Sequence, residues 1–238
     1  MNRSALLAEL DELTGAGNLG ARRFDADVPL EGRVVVLPSA FNPPTLAHAR
    51  LLDLAAAAVG AKQKAALLTT RNVDKGLHGA SLDHRIGMLL ELARRTHDLA
   101  VLTTNAARFV DQALALTKAF PSAQFDFVAG HDTLVRIFDA RYYNDMPAEL
   151  APFFARHRLI VANRGEAGIA DVAAFVADRA HAFRSQILIA ELEPKAASIS
   201  STDARSLVAS GARPSGLAEP VRSYITRHEL YGASPDTP

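Results

Sequence analysis

The stretch Arg33-Val34-Val35-Val36-Leu37-Pro38-Ser39-Ala40-Phe41-Asn42-Pro43-Pro44-Thr45-Leu46-Ala47-His48 decides the fold. Val34 to Leu37 form an apolar run of the kind carried by a strand covered on both faces. The chain then breaks into a turn, because Pro43 and Pro44 discourage helix before them. Thr45 to His48 resume helix-compatible sequence. A buried strand thus feeds a short loop and a helix start. In an α/β sheet the loop then lies at a strand's carboxyl end, where ligands bind. The helix start offers free backbone N–H groups and partial positive charge, both suited to phosphate.

Outward from this stretch, strand-like and helix-like runs alternate. Strands are predicted at 33–37, 65–69, 99–103, 124–129, 158–162 and 186–190. Helices are predicted at about 45–59, 82–96, 107–119, 171–182, 201–210 and 218–228. This alternation predicts a parallel sheet with right-handed crossovers. Residues 1–32 read as a peripheral helix and loop, with Ser4 capping a segment that carries Leu6, Leu7, Leu10 and Leu13. Residues 138–157 read as an irregular insertion with room for a short helix. The tail is 231–238, and the chain after Gly232 is expected to fray.

Composition narrows the function classes. With 238 residues, 49% of them hydrophobic, the chain can fill one large core or at most two small ones. Lys plus Arg and Asp plus Glu both number 26. That balance provides no global attraction to nucleic acid or an anionic membrane. The absence of cysteine excludes disulfides, thiolate metal sites and cysteine nucleophiles. No run approaches the roughly 18 apolar residues of a membrane span, and the first residues do not resemble a signal peptide. A cytoplasmic protein is the expectation, with self-association into a homo-oligomer left open.

Five groups of residues could carry chemistry. Thr45 and His48, three apart, share a face of the first helical turn. There the His could donate a hydrogen bond, and when protonated a charge, to a phosphate. Ser200, Ser201 and Thr202 open a later helix with Arg205 one turn on, a set able to hold a di- or triphosphate. Gly130 permits close backbone approach, and Asp132 could accept ribose hydroxyls or sit near a hydrated metal. Arg164 follows a strand and could lie on or beside a base. Lys75 and Arg85 could meet a second phosphate. Taken alone, the patterns at Ser200–Arg205, Gly130–Asp132 and Arg164 are more often an ordinary cap, turn or solvated side chain, and those at His48 and at Lys75 and Arg85 are as often so. All five, however, fall at or just after predicted carboxyl ends of strands, which share one edge in a parallel sheet.

Ser39 to His48 resembles the G-S-F-N-P-x-T-x-x-H signature of nicotinamide and nicotinate mononucleotide adenylyltransferases, of the H-x-G-H nucleotidyltransferase superfamily. Ile199 to Arg205 matches that family's I-S-S-T-x-x-R motif, and Gly130-His131-Asp132 its G-x-D. Gly130 to Leu134, Phe138 and Tyr142-Tyr143 are similar to a divergent, fungal-like subgroup. The resemblance covers about residues 33–228 and implies a nucleotidyltransferase domain over 33–230. The implied fold is α/β, a Rossmann-like doubly wound parallel sheet with helices on both faces.

The resemblance implies adenylyl transfer from ATP to nicotinamide or nicotinate mononucleotide, with release of pyrophosphate. It makes His48, Thr45 and Arg205 the catalytic group. Ser39, Ala40, Phe41, Ser200, Ser201, Thr202, Gly130, Asp132 and Arg164 would bind ATP. Lys75 and Arg85 would bind the mononucleotide. Mg²⁺ would be carried by triphosphate oxygens and water, with no protein cage. This chain departs from the pattern at Ser39, where the family has Gly, and at Ala40, where it has a hydroxyl. It also lacks the Trp that many members stack on the pyridine ring, and Phe109, Tyr142 or Tyr143 are the available substitutes. A sister phosphopantetheine adenylyl- or cytidylyltransferase, and a catalytically silent nucleotide-binding regulator, are the alternatives.

Overall fold

The computed structural model describes residues 3–25, 29–70, 79–96 and 98–233. The core is a seven-stranded sheet ordered β1-β4-β3-β2-β5-β6-β7. Its strands are β1 (Ala21–Arg23), β2 (Gly32–Pro38), β3 (Gln63–Thr69), β4 (Leu99–Thr104), β5 (Ala123–Gly130), β6 (Leu159–Ala162) and β7 (Ile187–Ala190). Strands β2 to β7 pair in parallel. From β2 the chain winds outward through β3 and β4, returns to the far side of β2, and winds outward again through β5, β6 and β7. The order reverses between β2 and β5, so the crevice at their carboxyl ends is the switch point of a doubly wound sheet.

Residues of β2 alternate between two cores, as the two-residue period of a strand requires. Val34 and Val36 face a phenylalanine-rich layer built by α4 (Phe109–Ala119), α5 (His131–Ile137), α6 (Met146–Phe154) and α7 (Ile169–Arg179). Val35 and Leu37 face a layer built by α1 (Arg3–Gly15), α2 (Leu46–Val59), α3 (Leu82–Thr96) and α8 (Pro194–Ala197). A third cluster joins Met88 of α3 to Ala204 and Val208 of α9 (Ser201–Ala209) and to Val221 and Ile225 of α10 (Glu219–Arg227). Among the described residues, no helix is long and apolar enough to cross a membrane.

The structure corrects two sequence expectations. Residues 1–32 are more than a peripheral helix and loop, because β1 adds an antiparallel edge strand with Ala21 opposite Thr104. Three residues are too few for a readable period, and Arg22-Arg23 hides the pairing. Residues 138–157 contain the expected short helix, α6, but its Leu150, Phe153 and Phe154 are buried in the core. Tyr231 packs against the third cluster; residues 234–238, which fall in the stretch expected to fray, lie outside the described residues.

Candidate active site

The signature loop leaves β2 tied to the next strand, with Ser39 N–H donating to the Leu67 carbonyl at 3.1 Å. Phe41 is buried and adopts φ 45°, a left-handed conformation that a bulky residue rarely takes. Its ring lies 4.9 Å from that of His48. His48, one turn into α2, is buried. Its Nδ1 accepts the Thr45 backbone N–H at 3.0 Å and lies 2.8 Å from Thr45 Oγ1. An amide N–H can only donate, so Nδ1 is the acceptor and the proton of a neutral ring sits on Nε2. Nε2 is 3.1 Å from Ser39 Oγ.

Burial, and then the Arg164 guanidinium, push the His48 pKa down to about 3. The sequence reading allowed a protonated His; the buried ring is instead a neutral donor. An anion bound beside it would counter the Arg164 charge and still accept a hydrogen bond from Nε2.

The second motif closes over this loop. Ser201 Oγ donates to the Pro43 carbonyl at 2.8 Å, and Arg205 Nη1 to the Asn42 carbonyl at 2.6 Å. These bonds join positions 158 and 163 residues apart in sequence. Ser200 caps α9 by accepting the Asp203 N–H at 3.0 Å, and its hydroxyl donates to the Asp203 carboxylate at 2.6 Å. The Ser200 and Ser201 hydroxyl protons are therefore engaged within the protein. Thr202 Oγ1 accepts from Arg205 Nη2 at 3.2 Å. The elements that face outward for an anion are thus the Thr202 hydroxyl, the first amides of α9 and the Arg205 guanidinium.

Gly130 ends β5 and precedes α5. A Cβ there would come within 3.0 Å of Arg164 Cδ, so glycine is what lets the Arg164 side chain lie across the crevice. A cavity of about 10 Å³ remains between Ala47, His48, Gly130, Asn163, Arg164 and Leu192. That is room for roughly one water. Asn163 is fixed by two hydrogen bonds with the Leu192 backbone, at 3.0 and 2.6 Å.

The remaining sequence candidates are scattered. Ala40 is exposed on the loop, and Asp132 is exposed on the first turn of α5. Arg85 is buried, with Nε donating to the Ala80 carbonyl at 2.7 Å. Lys75 lies outside the described residues. Phe109 packs on Phe127 and Phe153, and Tyr143 donates to the Ile137 carbonyl, so both rings serve the core. Tyr142 lies beneath the Arg141 guanidinium. Sequence reasoning assigned nothing to Asn42, whose carbonyl holds Arg205, or to Tyr231, whose hydroxyl donates to the Asn42 side chain at 2.7 Å. Asn42 stood in plain view inside the signature, but no sequence pattern marks Tyr231.

The profile of the cytidylyltransferase-like family matches residues 36–207. A Schizosaccharomyces pombe protein with the provisional name nicotinamide mononucleotide adenylyltransferase is 31% identical over 135 residues. That match covers 55% of this chain and about half, 53%, of the relative. A Bordetella pertussis protein, provisionally named a nicotinate-nucleotide adenylyltransferase, is 32% identical over 203 residues, 84% of this chain and 98% of its own length. Among solved structures, Plasmodium falciparum nicotinic acid mononucleotide adenylyltransferase complexed with NaAD shares the fold. Its TM-score is 0.66 at 15% identity, over 87% of this chain and 100% of that one.

Proposed function

This chain belongs to the cytidylyltransferase-like family, and we propose that it transfers the adenylyl group of ATP to nicotinamide or nicotinate mononucleotide. The observation that carries the reading is the pair of hydrogen bonds joining the two motifs, Ser201 to Pro43 and Arg205 to Asn42. They make one phosphate-binding edge out of two helix starts, with His48 behind it.

In this reading an oxygen of the mononucleotide 5′-phosphate attacks the α-phosphorus of ATP. A new P–O bond forms, the bond to the bridging oxygen breaks, and pyrophosphate leaves with that electron pair. The nucleophile is already ionised at neutral pH, so the protein needs no base. Its contribution is alignment and charge stabilisation. His48 donates its Nε2 proton as a hydrogen bond to the α-phosphate, while Thr45 holds the opposite ring nitrogen. Arg205, Thr202 and the amides of α9 hold the β- and γ-phosphates and stay with the leaving group. Ser200 and Ser201 shape this edge through their bonds to Asp203 and Pro43. Ser39, Ala40 and Phe41 line the α-phosphate side. Arg164 would meet the base and Asp132 the ribose, and Arg85 and Lys75 would serve the mononucleotide phosphate.

Among the described residues, no three His, Asp or Glu side chains converge as a cation cage would. Mg²⁺ would neutralise triphosphate charge, held by phosphate oxygens and water.

Pyrophosphate release from ATP–Mg²⁺, measured with each mononucleotide and with phosphopantetheine and CTP controls, tests the reading. Turnover with one or both mononucleotides is expected. Turnover only with a control substrate, or ATP binding without turnover, would overturn it.

A further inference from the structure

The last described turn, Leu230–Gly232, ends on the signature loop. Tyr231 donates its hydroxyl to Asn42 Oδ1 at 2.7 Å, and the same oxygen accepts the Ala80 N–H at 3.1 Å. Two donors aimed at one atom fix the orientation of the Asn42 amide. The Asn42 carbonyl, in turn, accepts from Arg205. One asparagine thus links the C-terminal turn, the entry to α3 and the guanidinium on α9. The charges of Arg85 and Arg205 both reach the phenol, yet burial dominates and pushes its pKa up, so Tyr231 keeps its proton at neutral pH.

The turn is held there against its own backbone preference. Glu229 and Tyr231 have φ of 48° and 59°, left-handed conformations that L side chains rarely adopt. Such positions persist only where the surrounding structure determines them, and they gather at functional sites. Here the ring packs against the third cluster, which includes Ala204 and Val208 of α9, the helix that carries Arg205.

We propose that Tyr231 is a positioning residue of the triphosphate site: through Asn42 it fixes the loop carbonyl that aims Arg205 at ATP. The inference rests on reading Arg205 as a triphosphate ligand. Arg205 has no ion pair with a carboxylate among the described residues, so its aim depends on the Asn42 carbonyl and the Thr202 hydroxyl. Freeing the Asn42 amide from Tyr231 loosens the first of these. Small misplacements of a phosphate ligand are costly in binding and turnover.

Tyr231→Phe keeps the ring and removes one hydroxyl. Calorimetry with a non-hydrolysable ATP analogue should show binding about tenfold weaker, the scale of one lost hydrogen bond. KM for the mononucleotide should change less than about twofold, a split that loss of packing alone would not produce. Because Tyr231 acts through Arg205, adding Tyr231→Phe to Arg205→Ala should weaken analogue binding little further. Wild-type analogue affinity in Tyr231→Phe, or fully additive losses in the double variant, would overturn the inference. A second measurement needs no variant: the analogue should slow amide exchange at residues 229–233 of the wild-type protein, and unchanged exchange would count against the inference. A wild-type protein that binds no ATP analogue would overturn the triphosphate reading and this inference together. Binding in wild type with no change in Tyr231→Phe sinks the inference alone.

Discussion

His48 is 5% exposed, with hydrogen-bond partners at both ring nitrogens and an aromatic ring against it, whereas Arg205 lies half-buried on α9 and reaches one carbonyl and one hydroxyl. The first group is fixed by the fold's central strand and the helix it feeds. The second is aimed by a loop carbonyl and a C-terminal turn. Under the proposed function the difference would suit two tasks. A donor to an oxygen of the reacting phosphate gains from being fixed before substrate arrives, because reorganisation is then avoided in the transition state. A ligand for terminal phosphates must admit ATP and release pyrophosphate, which a more open side chain permits.

Removing each group should therefore damage a different step. His48→Ala is expected to lower turnover by about 100-fold or more, the scale of one preorganised donor, with a smaller change in KM for ATP. Steady-state pyrophosphate release measures both constants. Near-normal turnover in folded His48→Ala would remove the distinction between the two ends.

The same variant carries a pH signature. His48 is depressed to about 3 in the folded protein, against 6.5 for the free side chain. Between those values the unfolded chain binds a proton that the folded chain excludes, so stability falls as pH drops through this window and is full above 6.5. Denaturant midpoints at pH 7 and pH 5 should differ less in His48→Ala than in wild type. Burial also holds His157 low, so some slope remains in the variant. An equal slope in both proteins would place His48 in a more solvated setting than the structure shows.

Arg205→Ala should raise KM for ATP about tenfold, as loss of a charge-assisted bond implies, with a lesser effect on KM for the mononucleotide. Varying each substrate at saturating levels of the other separates the two. Equal increases would make Arg205 a general support of the loop.

Legibility in the sequence follows the same division. The Val34–Leu37 run and the Pro43–His48 turn announced β2, α2 and the crevice, because a strand buried on both faces and a proline-bounded helix start have local signatures. Ile199 to Arg205 was equally readable as a capped helix. What these segments do to each other was not readable. The Ser200 and Ser201 hydroxyls read as phosphate ligands, yet they bind Asp203 and Pro43. The charge state of His48 depends on burial and on Arg164, 116 positions away in number but beside it in space. Edge strand β1 is too short for a period, and Tyr231 follows a helix end with no local pattern to mark its partner. In each case the deciding partner is distant in sequence, and periodicity reports only near neighbours.

Ser39 sharpens the contrast most finely, because it replaces the family's glycine directly beside the fixed end. Its hydroxyl accepts a hydrogen bond from Nε2. In the proposed reading an anionic phosphate oxygen, the stronger acceptor by about a factor of two, would take over that hydrogen bond. The Ser39 bond would then contribute nothing to the transition state. Ser39→Gly should accordingly lower kcat by less than about threefold, while added freedom of the unfolded chain costs about 0.5–1 kcal/mol of stability. A fall in melting temperature of about 1–4 °C would register that cost. A tenfold or larger loss of kcat would instead mean that the hydroxyl itself contacts the phosphate, and the His48 end would then depend on an adjustable side chain much as the Arg205 end does.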